Sequence, residues 1–124
     1  MPGDEDVLDA NAAFYRAFNT KDFAAMEAIW ASETAVTCVH PGWFLLEGRD
    51  LVLDSYQGIL NNESQPRIVI GGVVANTYGD IAVVVCREFV GGAPLLATNL
   101  FAREGGEWRI FHHHAGPVAQ LEQL

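Results

Sequence analysis

In the first third of the chain, apolar residues return every three or four positions. Val7, Leu8, Ala12, Tyr15 and Phe18 keep this spacing, the period of one face of an α-helix. Asp4 to Asp6 precede them, where the positive end of a helix dipole favours acids. The pattern predicts a helix over about residues 5–19. Asn19-Thr20-Lys21-Asp22 interrupts it, and Asp22 is suited to cap a second helix whose apolar side is Phe23, Met26, Ala28, Ile29 and Trp30. The two form a helical hairpin. Thr34 to Val39 is rich in β-branched residues and is stopped by His40-Pro41-Gly42, which predicts a short strand ending at His40. After Gly48-Arg49-Asp50, residues Leu51, Val52, Ser55, Tyr56, Ile59 and Leu60 resume helical spacing until Asn61-Asn62, a third helix.

Beyond Arg67 the texture changes to four β-rich segments, about 67–78, 81–90, 94–104 and 107–118, separated by Gly79-Asp80, Gly91-Gly92 and Gly105-Gly106. Breaks this short between strands mean antiparallel hairpins. Three helices followed by a meander predict an α+β fold, a curved antiparallel sheet backed by helices on one side. Ile81 to Cys86 is apolar at every position, whereas a strand with one wet face should alternate. The expectation is that a second copy of the chain covers the outer sheet face, giving a two-fold homodimer. With no internal repeat, low-complexity tract or linker, residues 1–124 read as a single domain.

Composition narrows the partners. Half of the residues are apolar and 19% are charged, a globular balance. The net charge of −9 comes from 16 acids against 7 bases, and the bases are scattered singly as Arg16, Lys21, Arg49, Arg67, Arg87, Arg103 and Arg109. Nucleic acids and anionic membranes need clustered positive charge, so neither is an expected partner. Cys38 and Cys86 lie far apart in apolar runs and read as small core residues, without disulfide or thiolate metal spacing. The amino-terminal segment lacks the basic start and apolar stretch of a signal peptide, so the expected location is the cytoplasm.

The hairpin with Thr20-Lys21-Asp22 at its bend, then Val36-Thr-Cys-Val-His-Pro-Gly42, then Glu47-Gly-Arg49 opening a helix, resembles the nuclear transport factor 2-like superfamily. The run from Phe101 to His114, with Trp108 and a histidine-rich end, resembles the last hairpin of SnoaL-like domains and of the association domain of calcium/calmodulin-dependent protein kinase II. This similarity spans about residues 7–118 and implies the cone-shaped, cystatin-like fold. Members include a ketosteroid isomerase, cyclases, a dehydratase and an epoxide hydrolase as well as non-catalytic adaptors, so the fold alone does not choose a function.

The resemblance also nominates residues. His40 matches the strand end where the isomerase pattern carries its general base, and imidazole suits proton transfer near neutral pH; the alternative is a turn histidine bonded to backbone. Asn99 matches the position of the isomerase's oxyanion donor, and an amide can donate without a shifted pKa; the alternative is a side chain facing solvent. The isomerase's first-helix tyrosine falls at Phe14, one residue short of Tyr15, which argues against steroid isomerisation. Tyr15 remains a candidate ligand contact.

Strand parity groups Glu88 with Val84 and Cys86, and Arg87 with the opposite face, so one charge points inward. Glu88 is a candidate base or a partner for a histidine. Simple alternation places His112 and His114 on the face of Trp108 and Ile110, with His113 on the other, so His112 and His114 are the candidates for the pocket. Two histidines at that spacing can share a metal ion, but bracing a cavity is the expected role, with no metal and no cofactor. Trp43, Tyr56 and Phe101 are candidate pocket walls. No nucleophile elbow or phosphate-binding loop occurs. Two functions stay open: cofactor-free acid/base chemistry (isomerase, cyclase or dehydratase type) on a small apolar molecule, or a non-catalytic ligand-binding or association module.

Overall fold

Asp22 accepts a hydrogen bond from the Ala25 backbone N–H at 3.1 Å, and this cap opens the shorter of the first two helices. The computed structural model describes residues 3–119. Helix α1 spans Gly3–Asn19, α2 Phe23–Ile29 and α3 Arg49–Leu60. The strands are β1 Thr37–Val39, β2 Leu46–Glu47, β3 Ile68–Tyr78, β4 Ile81–Val90, β5 Ala93–Glu104 and β6 Glu107–Pro117.

The four long strands form the expected meander, and the six-stranded sheet runs in the order β2-β1-β6-β5-β4-β3. The fold is α+β, three helices on a curved sheet. All pairings are antiparallel except β1 with β6, which is parallel. β1 is shorter than the β-branched run suggests, because its first part is held by a side chain. The Glu104 carboxylate accepts from the backbone N–H groups of Ser32 and Glu33 and from the Thr34 hydroxyl. β2, only two residues long, has no sequence signal of its own.

Two irregularities shape the sheet. β3 is bulged between Gly71 and Val74. In β6 the register shifts so that Leu100 faces His112 while Phe101 faces Ile110, leaving Phe111 as the extra residue. Such a bulge adds one residue to one strand and reverses its inside-outside alternation beyond that point.

The core lies between the helices and the concave face, where Val7, Phe14, Met26, Trp30, Tyr56, Val84, Phe101 and Ile110 are buried. The outer face of the sheet exposes Val69, Val74, Tyr78, Phe89 and Leu96.

Candidate functional site

A cavity of about 710 Å³ opens between α1, α3 and the concave face of the sheet, within the usual size of small-molecule sites. Phe14 and Phe18 of α1, Ile59 of α3, Ile68 of β3, Val90 of β4 and Leu95 of β5 give it apolar walls. His40, Glu88 and His113 supply polar groups inside, and Asp54, Asn62 and Gln65 also line it.

His40 follows the last residue of β1 and is buried. Its Nε2 lies 2.8 Å from Ser55 Oγ, and the Ser55 hydroxyl donates its proton to the Val52 carbonyl at 2.6 Å. Ser55 therefore accepts from His40 Nε2–H, and the lone pair is assigned to Nδ1. The His40 ring packs edge-on against Trp43 and Tyr56, with centroids 4.8 Å away in both cases. Burial lowers its pKa to about 4, because a charged imidazolium would lose its water.

A second polar group sits on the sheet. Asn99 is fully buried; its Nδ2 donates to Asn11 Oδ1 at 2.8 Å and to Tyr15 Oη at 3.1 Å. Its Oδ1 accepts from His113 Nδ1–H at 2.6 Å, which leaves His113 Nε2 with the lone pair. Tyr15 in turn donates to Glu88 Oε2 at 2.6 Å. His113 Nε2 is 4.0 Å from the same carboxylate oxygen. Burial raises the pKa of Glu88, an effect the Tyr15 hydrogen bond partly offsets, and lowers that of His113 to about 3, reinforced by the nearby His40. The rings of His40 and His113 are 6.4 Å apart, centre to centre.

Several expected roles change. His112 and His114 do not line the cavity: the extra residue Phe111 reverses the alternation, so His113 rather than its neighbours shares the inner face with Trp108 and Ile110. His112 instead meets the Thr37 hydroxyl at 2.7 Å, and His114 is exposed. Asn99 is not an oxyanion donor, because both of its amide hydrogens are engaged and it lies behind His113, away from the cavity. It positions His113 and Tyr15. Tyr15 reaches the polar network although it is one residue from Phe14, because α1 is buried over an arc wide enough to include both. Its proton belongs to Glu88, so it too stands behind the wall. Phe101 is fully buried and packs in the core without lining the cavity. Trp43 and Tyr56 do line it. Among the described residues, no group of three histidine, cysteine or acidic side chains is arranged to hold a metal ion.

Residues 7–120 match the SnoaL-like domain family. The chain belongs to the SnoaL-like family. Among solved structures, a candidate dehydratase of the nuclear transport factor 2-like family from Streptomyces avermitilis is 35% identical, with a TM-score of 0.89 over 95% of this chain and 97% of that one. A candidate calcium/calmodulin-dependent protein kinase type II association domain from Thiobacillus denitrificans is 30% identical, with a TM-score of 0.78 over 89% and 93% of the two chains. The F-box protein SKIP8 of Arabidopsis thaliana is 28% identical over 111 residues, and this SnoaL-like chain, matched over 88% of its length, spans 48% of that protein. More distant structures described as cystatin-like share the fold.

Within this SnoaL-like chain three residues of the candidate site and its polar network escape a sequence reading. His113 is hidden by the bulge, and only an alignment of the two strands would reveal it. Ser55 looks like a helix residue of no consequence, yet it sets the tautomer of His40. Asn11 looks like a polar interruption in an amphipathic helix, yet it faces Asn99.

Proposed function

We propose that this SnoaL-like domain binds a small, mostly apolar organic molecule and moves protons on it without a cofactor, as an isomerase, cyclase or dehydratase does. The observation that carries this reading is the meeting of two neutral imidazoles and one carboxyl group of raised pKa in a single apolar cavity. Groups pushed in opposite directions by their surroundings are how one site holds a base and an acid at the same pH.

In a dehydration, His40 Nδ1 takes the proton from the carbon next to a carbonyl. Glu88 in its neutral form gives its proton to the departing hydroxyl on the next carbon. The C–O electron pair leaves as water, a double bond forms, and the proton on His40 returns to Glu88 through water. Because Oε2 of Glu88 receives the Tyr15 hydrogen bond, the acidic proton sits on Oε1. His113 Nε2, 4.0 Å from Oε2, can accept a hydrogen bond from a substrate hydroxyl. An isomerisation needs only His40, which removes the proton and returns it at another carbon. The Streptomyces structure described as a candidate dehydratase supports this family of reactions.

The test is proton exchange at the α-carbon of ring-bearing ketones and β-hydroxy ketones in deuterated water, followed by NMR. Wild-type protein should accelerate exchange, and His40→Ala should lose about 10²- to 10⁴-fold of that rate, the usual share of a general base, with unchanged circular dichroism. Binding without exchange would support the second reading, a non-catalytic ligand or association module. The similarity to a candidate kinase association domain favours that alternative.

As part of the same proposal, the apolar outer sheet face pairs with a second copy in a homodimer. Sedimentation should give twice the 13.5 kDa chain mass, and Leu96→Asp should give the monomer. A wild-type monomer at high concentration would refute the pairing.

A further inference from the structure

The charge lining the cavity is of one sign. Its lining includes the exposed carboxylate Asp54 and the buried acid Glu88, and no lysine or arginine. His40 and His113 do not replace a cation, since burial keeps both rings neutral at physiological pH. The single lysine of the chain, Lys21, donates to the main-chain carbonyl of Asn62 at 2.9 Å and does not line the cavity. With a net charge of −9 around it, the interior repels anions.

The two acids stand at different depths, and Asp54 is the one that carries charge to the mouth. Glu88 is 1% exposed and belongs to the polar network of the sheet. Asp54 is exposed on α3 and has no ionic partner among the described residues. It precedes Ser55, the residue bonded to His40, and the ring of His40 packs on Trp43. Trp43 is 48% exposed while lining the cavity. Asp54 and Trp43 thus both line the cavity, and a carboxylate and an open indole are the two groups that recognise an ammonium, one by charge and the other by its π-face.

One turn along α3, Gly58 lines the same cavity. A glycine inside a helix costs about 1 kcal/mol relative to alanine, and a Cβ built at Gly58 meets nothing within 4 Å. Packing therefore does not demand glycine here. What glycine gives is an opening beside Asp54 with no side chain in it.

Building on the acid/base reading above, we propose that the cavity is selective for amine-bearing ring compounds: the ring passes Gly58, an uncharged carbonyl or hydroxyl reaches Glu88 and His113, and a protonated amine stays at the rim between Asp54 and Trp43. Carboxylates and phosphate esters are excluded.

The experiment is calorimetric titration with three matched probes, 2-naphthylethylamine, 2-naphthylethanol and 2-naphthylacetate, at low and high salt. The amine should bind about three- to tenfold more tightly than the alcohol, the scale of one partly screened ion pair, and the carboxylate more weakly than either. Asp54→Asn should abolish the preference for the amine while alcohol affinity stays the same, and Trp43→Leu should reduce it. Gly58→Leu should weaken all three probes by at least tenfold while the melting temperature holds or rises, separating a blocked mouth from a damaged fold. Equal or tighter binding of the carboxylate, or an amine preference that survives Asp54→Asn, would overturn the charge selectivity while leaving the cavity's ligand role intact. If wild-type protein binds none of the probes, the ligand-cavity reading falls together with this one.

Discussion

The two faces of β4, β5 and β6 are made from the same strands yet hold their polar groups in opposite conditions. Inside, Glu88, Asn99 and His113 are buried and joined by hydrogen bonds as short as 2.6 Å. Outside, Arg87, Thr98, His112 and His114 are partly or fully exposed. A step of one residue along β6 moves an imidazole from a fixed tautomer with its pKa lowered to about 3 to a solvated side chain. Residue type alone therefore says little about reactivity; the side of the sheet decides, and in β6 the side is decided by one extra residue.

Deleting Phe111 tests that comparison most severely. It should restore simple alternation and turn His112 and His114 inward, removing more than about 3 kcal/mol of stability, on the scale of burying unpaired polar groups. Phe111→Leu keeps the residue count and should cost about 1 kcal/mol. Urea denaturation of both variants separates register from side-chain size; equal losses would mean that the bulge is not what sets the inner face.

Acid should act chiefly through the inner face. His40 has a pKa of about 4 in the folded chain against 6.5 as the reference value, so the unfolded chain binds protons first. Stability is fully present above pH 6.5 and falls as pH drops towards 4, by about 3 kcal/mol for this residue, taking roughly 1.4 kcal/mol per unit. His113 extends the same loss towards pH 3. In His40→Gln the slope of urea midpoints between pH 6.5 and 4 should flatten; an unchanged slope would refute the assignment.

Glu88 has the opposite sign. Its folded pKa is raised by burial, so the folded chain holds the proton more tightly and stability falls as pH rises from the unfolded value through the folded one. Glu88→Gln should therefore be more stable than wild type at pH 8, by a few degrees in melting temperature, and show no gain at pH 4. The smallest effect belongs outside. Thr37→Val removes the hydroxyl beside His112 Nδ1 and should cost under about 1 kcal/mol, with ligand binding in the cavity unaffected by titration calorimetry.

Much of the fold is legible in the chain because it rests on local patterns. Helical spacing in Val7 to Phe18, the Asp22 cap and the glycine pairs between strands each act over a few residues, and the observed elements follow them closely. The site is less legible because it rests on register. Glu88 faces inward as parity requires, but β6 alternates correctly only up to Phe111, and nothing in Ile110-Phe111-His112 marks an extra residue. The role of Asn99 was equally hidden: the amide is in the expected strand, but Asn11 and Tyr15, 88 and 84 residues away in sequence, occupy its hydrogens.

The parallel pairing of β1 with β6 sets Thr37 beside His112 and Val39 beside His114, partners 75 residues apart. Contacts of such sequence separation close late, since the loop entropy is lost before the contact forms. During synthesis the meander β3 to β5 can pair as it emerges, but His40 has no His113 to face until β6 has left the ribosome. The nascent chain therefore carries an unfinished sheet edge and an open apolar interior until β6 has been made, and the cavity is among the last parts of this domain to form.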